Sequence, residues 1–198
     1  MKSLITRRAL LRDAMLVTAG AAASQALPYV SLLSSTSAAD ESTGSAEARL
    51  RELGIELPPV STPLAVYVPT VRVGDTLYAS GNGPRKAEGS GFVTGKVGKD
   101  MNLEEAQAAA RLTGLNILST VRDALGSLDN VVRLVKVLGM VNCTTDFTQQ
   151  PLVINGFSQL MVDVFGEEAG KGARSAVGMG SLPGNIPVEI EAIFQVRA

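Results

Sequence analysis

The sequence contains no histidine, no tryptophan and a single cysteine, Cys143, in 198 residues. Without histidine there is no imidazole base, and most zinc sites lose a usual ligand. One cysteine excludes an internal disulfide and any cysteine-cluster metal site. Aromatic residues make up 4% of the chain, too few for a stacking platform on single-stranded nucleic acid. Charged residues make up 19%, with a net charge of −1, so no basic face for a phosphate backbone is indicated. What is present is apolar, at 45%, which describes a globular chain.

The first 39 residues read as a processing signal. Lys2, Arg7, Arg8 and Arg12 form a basic start, an alanine-rich apolar stretch follows, and Ser37-Ala38-Ala39 offers a small-x-small cleavage site before Asp40. The run Thr6-Arg7-Arg8-Ala9-Leu10-Leu11 is of the twin-arginine export type. Pro28 and a Ser/Thr cluster interrupt the apolar run before a full membrane span of about 20 residues, so no membrane insertion is expected after cleavage. The expected location is periplasmic or secreted. Cleavage would remove four of the 18 basic residues and one of the 19 acidic ones, leaving a net charge of −4. A single thiol in an exported protein suits burial of Cys143. Residues 40–63 read as an extension and linker, with a short helix over 46–53 ended by Gly54 and an extended Leu57-Pro58-Pro59 stretch. Residues 64–198 form the domain.

Two strands are expected over 64–72 and 76–80, turned at Val73-Gly74-Asp75. The glycine-rich stretch 81–95 reads as a loop without the Walker spacing. A helix over 102–125 carries a capping box, Asn102 with Glu105, and ends at Gly126. Residues 131–141 read as a central strand buried on both sides. A second helix over 148–165 has Pro151 in its first turn and is closed by Gly166. The order β-β-α-β-α-β-β predicts an α+β domain, one sheet with two helices on one face.

The last two strands are expected to form a hairpin about Leu182-Pro183-Gly184-Asn185. Residues 188–196 alternate, with Val188, Ile190, Ala192, Phe194 and Val196 apolar and Glu189, Glu191 and Gln195 polar. An even-length loop would put Ser175, Val177 and Met179 on the core face and Arg174 on the other, beside Glu189 and Glu191. That other face has no helix to cover it, and Val135, Val137 and Ile193 are expected to lie there, which points to an oligomer. Arg174 could serve a ligand or form a structural ion pair with Glu189 or Glu191.

These elements carry motifs that resemble the RidA/YjgF family of reactive-intermediate deaminases. The motifs are Tyr78-Ala79-Ser80-Gly81-Asn82-Gly83-Pro84, Asn155 on the second helix, Ala173-Arg174-Ser175, and Leu182-Pro183 leading to Val188-Glu189-Ile190-Glu191-Ala192. The resemblance implies a chorismate-mutase-like fold with a mixed sheet, a homotrimer, and a ligand site in each cleft between subunits. It implies that Arg174 binds a substrate carboxylate and Glu189 positions or activates water, with Tyr67, Ser80, Gly81, Asn82, Asn155 and Ala176 lining the cleft. Ala65-Val66 replaces a Gly-Pro pair usual in the family, Ala176 a frequent cysteine and Asn82 a frequent glutamine, which indicates a divergent chorismate-mutase-like branch.

The implied reaction is hydrolysis of 2-imino or 2-enamino acids to 2-keto acids and ammonia, with no cofactor or metal. A guanidinium holds a carboxylate bidentately, and a nearby carboxylate can relay protons. The alternatives are a non-catalytic binder of small carboxylates and a ribonuclease. The acidic balance, absent histidines and few aromatics oppose the ribonuclease. The expected partners are a small carboxylate and further copies of the chain, not nucleic acid.

Overall fold

The computed structural model describes residues 44–60, 62, 65–86 and 91–198. The expected export signal and its cleavage site lie outside these residues. The elements are helix α1 (Ala46–Glu52), strands β1 (Thr70–Val73) and β2 (Thr76–Asn82), helix α2 (Leu103–Leu125), strand β3 (Val131–Asn142), helix α3 (Gln150–Gly170), and strands β4 (Ala173–Met179) and β5 (Val188–Val196). The five strands form one mixed sheet in the order β1-β2-β5-β3-β4, with β3 and β4 parallel and the other neighbours antiparallel.

Local chemistry accounts for most boundaries. Asn102 and Glu105 form the expected capping box on α2, and Gly126 ends the helix in the left-handed region at φ 77°. Gly74 at φ 60° turns β1 into β2. β1 is shorter than expected because Pro69 has no N–H for a ladder; the Pro69 carbonyl accepts from Ser80 N at 2.9 Å instead. Gly166 breaks α3 at φ 83°, as expected, but a further turn continues to Gly170. The core lies between the sheet and helices α2 and α3, with Phe157, Phe194, Ile117, Leu118, Leu160 and Ile190 fully buried. Cys143 is buried there too. The two helices pack closely at Gly156, where a Cβ would strike the Gln107 carbonyl.

The last two strands do not form a hairpin. β4 and β5 lie on either side of β3, and neither bonds to the other. α3 carries the chain from β3 to a parallel position beside it, as a crossover connection does. The Leu182–Asn185 turn, with Gly184 at φ 59°, is therefore part of a longer connection across the end of β3.

The parity of the faces changes with it. Arg174 stands beside Val137, which stands beside Ala192, and both of those are core residues 1% exposed. Arg174 thus lies on the helix-covered face. Ser175 and Val177 share the open face with Glu191 and Glu189 through Leu138 and Met140, and Met179 has the same parity as they do. The expectation that Arg174 sits with the glutamates, and Ser175, Val177 and Met179 with the core, is overturned. β3 is an inner strand rather than the central one, which is β5, and it is buried on one side only. Val137 belongs to the core, whereas Val135 falls at a bulge in the pairing with β5 and is 41% exposed. The alternation of β5 is as expected.

Candidate functional site

Two clusters hold the site residues expected from the sequence, and the sheet separates them. The first surrounds Arg174 on the edge strand β4. Its Nη1 donates to Asn155 Oδ1 and Ser158 Oγ, each at 2.9 Å, and its Nη2 to the Pro151 carbonyl at 3.3 Å. All three acceptors belong to α3, and Asn155 and Ser158 share a helix face at a spacing of three. No carboxylate lies within 4.0 Å of Arg174 among the described residues, so the alternative of a structural ion pair with Glu189 or Glu191 is not formed. A guanidinium has five N–H donors. These contacts leave the Nε–H and one Nη2–H without a partner among the described residues, an edge that matches two carboxylate oxygens. Partial burial lowers the Arg174 pKa, but the group stays cationic. Ala176, two residues along, is on the same face and packs against the core.

The second cluster lies on the open face, over β2 and β5. Between the pairs Ala79–Ala192 and Asn82–Ile190, two residues of β2 oppose one of β5. That bulge brings the Gly81 backbone against Glu189, and a Cβ at Gly81 would overlap the Glu189 carboxylate. Burial, and then the neighbouring Glu191, push the Glu189 carboxyl above the usual carboxylate range. Ser80 Oγ donates to the Val68 carbonyl at 2.7 Å, which ties the segment carrying Tyr67 to β2. Asn82 Nδ2 donates to the Ser80 carbonyl at 2.8 Å and braces the bulge. A recess of about 600 Å³ opens beside Glu189, with Tyr67, Ser80 and Gly81 among its lining residues.

Arg174, Asn155 and Ala176 are thus brought together, and so are Tyr67, Ser80, Gly81 and Glu189, while Asn82 supports the second group. Arg174 and Glu189 are two strands apart on opposite faces. Ser158 was missed by sequence reasoning, although its spacing from Asn155 was a signal for it. Asn116 was missed as well. It is a buried polar residue on α2 whose Nδ2 donates to the Arg85 carbonyl at 3.1 Å, fixing the loop behind the recess. No group of three or more His, Cys, Asp or Glu residues is placed to hold a metal ion among the described residues.

A family model described as YjgF/chorismate mutase-like, putative endoribonuclease, matches residues 47–188. A Trypanosoma cruzi protein named TCP17 is 42% identical over 155 residues, which cover 78% of this chain and 96% of that protein. The crystal structure of a protein of unknown function from Agrobacterium tumefaciens is 44% identical, with a TM-score of 0.70, covering 80% of this chain and 97% of that one. A structure described as a putative endoribonuclease from Shewanella oneidensis is 30% identical, with a TM-score of 0.73 and coverage of 77% and 99%. The family model covers the Arg174 cluster and most of the second cluster, ending one residue before Glu189, and the chain belongs to the YjgF family, also called RidA, to which its motifs pointed.

Proposed function

We propose that the protein hydrolyses 2-imino or 2-enamino acids to 2-keto acids and ammonia in a site completed by a second copy of the chain. The observation that carries this reading is the guanidinium of Arg174, oriented by three neutral acceptors and left with a carboxylate-shaped edge open. Glu189, the acid suited to the proton steps, is on the other face of the sheet, so one chain cannot present both to one ligand. The open face supplies a surface for the partner: Val71, Tyr78 and Ile193 form one row across it, and Val71 and Tyr78 are exposed. A homotrimer with one cleft per interface satisfies this arrangement.

The proposed chemistry balances. Arg174 of one copy holds the substrate carboxylate, which fixes the C=N carbon near water. Water adds to that carbon, forming a C–O bond, while the nitrogen takes a proton. The hydroxyl proton of the carbinolamine is then relayed to its nitrogen as the C–N bond breaks, giving a keto acid and ammonia. Glu189 of the other copy accepts and returns these protons, for which a raised pKa is favourable. The export motif makes the exported compartment the proposed location.

The test is ammonia release from 2-imino acids generated in situ by an amino-acid oxidase. Wild-type protein accelerates release, and Arg174→Ala lowers kcat/KM by about 100-fold or more, as expected when charged hydrogen bonds are lost. A wild-type oligomer with no acceleration would refute the reading. A carboxylate that raises the melting temperature without turnover would identify a binding protein instead.

A further inference from the structure

The recess beside Glu189 is much larger than a short 2-imino acid needs, and its walls have a distinct chemistry. Ala65, Tyr67, Phe92, Pro183 and Ile186 line it, together with the glycines 81, 83 and 184. The only charged groups in the lining, among the described residues, are Glu189 and Glu191. Gly83 shapes the far end: a Cβ there would come within 2.8 Å of Ile186 Cδ1 and 3.3 Å of the Phe92 ring. Arg85 is stacked over the Phe92 ring, 5.9 Å from its centroid. The roof is fixed independently. Buried Asn142 donates to Asn185 Oδ1 at 3.1 Å and to the Ile186 carbonyl at 3.2 Å, and Lys96 Nζ donates to Asn142 Oδ1 at 2.7 Å and the Gly180 carbonyl at 2.8 Å. These bonds hold the connection that carries Pro183 and Ile186 over the cavity. A cavity of about 600 Å³ is within the size range of sites for small organic ligands.

We propose that this recess receives the side chain of the 2-imino acid, that the preferred side chain is aromatic or branched aliphatic, and that acidic side chains are rejected. The assignment rests on the deaminase reading for the ligand's head group. The side-chain preference follows from the walls. Each buried methylene contributes a factor of about four in affinity. A side-chain carboxylate would be desolvated beside two glutamates with no cation in the lining to receive it.

The test uses the 2-keto acids, which keep the carboxylate and the side chain of the imine. Titration calorimetry on the purified oligomer compares pyruvate, 4-methyl-2-oxopentanoate, phenylpyruvate and 2-oxoglutarate. The branched and aromatic acids bind at least about tenfold more tightly than pyruvate, and 2-oxoglutarate more weakly than pyruvate. Phe92→Ala and Ile186→Ala each shrink the phenylpyruvate-to-pyruvate ratio about threefold or more, given about fourfold per buried methylene. Pyruvate binding as tightly as phenylpyruvate overturns the assignment, as does 2-oxoglutarate binding most tightly, and either result is read on wild-type protein. No binding by any of the four overturns both the assignment and the deaminase reading. Selective binding of phenylpyruvate without ammonia release from any imine overturns the deaminase reading alone.

Discussion

Arg174 and Glu189 are the two charges on which the proposed chemistry turns, and they are held in opposite ways. Arg174 sits on an edge strand, yet its hydrogen bonds to α3 fix its orientation. Its neighbours are neutral, so it is poised for an anion. Glu189 sits on an inner strand, pressed against a glycine and near a second carboxylate. Its surroundings disfavour its charge. Burial disfavours both charges, but the arginine, with its high ordinary pKa, stays cationic, whereas the glutamate is moved towards the range in which the proposed chemistry needs it to take up and release protons.

Breaking the two halves should give different signatures. Glu189→Gln abolishes most of the turnover, by about 100-fold in kcat, with a smaller change in keto-acid affinity. The same substitution raises the thermal midpoint at neutral pH. The folded-state pKa of Glu189 is raised above its ordinary value, so ionisation opposes folding as pH rises through that range. Removing the charge restores that stability, and the gain disappears at a pH below the ordinary carboxylate range. Differential scanning calorimetry at several pH values would check it, and a midpoint unchanged or lowered at neutral pH would contradict this account.

Asn155→Ala is expected to have a smaller effect, about tenfold in KM with kcat nearly preserved, because Arg174 loses one brace but keeps its charge. Ser158→Ala does the same to a lesser degree, about threefold. Equal losses in kcat would show that these residues act in the chemistry rather than on the arginine's orientation. The smallest effect expected is on the acid limb of the pH–rate profile. Glu191→Gln removes one of the two causes that raise the Glu189 pKa, so the limb moves to lower pH. A limb that stays in place would show that burial alone sets it.

The two halves also differ in how far they could be read from the sequence. The capping box of α2 and the alternation of β5 are local patterns, and the structure reproduces them. The motif around Arg174 identified the residue but not its surroundings. Placing it beside Glu189 assumed that consecutive strands pair. Nothing in residues 173–179 states that their hydrogen bonds go to β3; that follows from α3 crossing over the sheet, a tertiary fact. With β3 inserted between the two strands, the parity rule for a tight turn no longer applies, and the arginine moved to the other face. Phe92 and Ile186 were missed for a similar reason. They come from separate loops and meet only through the close approach at Gly83.

The insertion of β3 between β4 and β5 has a genetic consequence. In the proposed assembly each chain lends its arginine to one neighbour and its glutamate to the other, the head-to-tail contact of a closed ring. Two chains disabled in different halves would therefore complement one another. A mixture of Arg174→Ala and Glu189→Gln subunits, inactive separately, would regain activity at the interfaces where each contributes its intact half, about one in four for random equal mixing in such a ring.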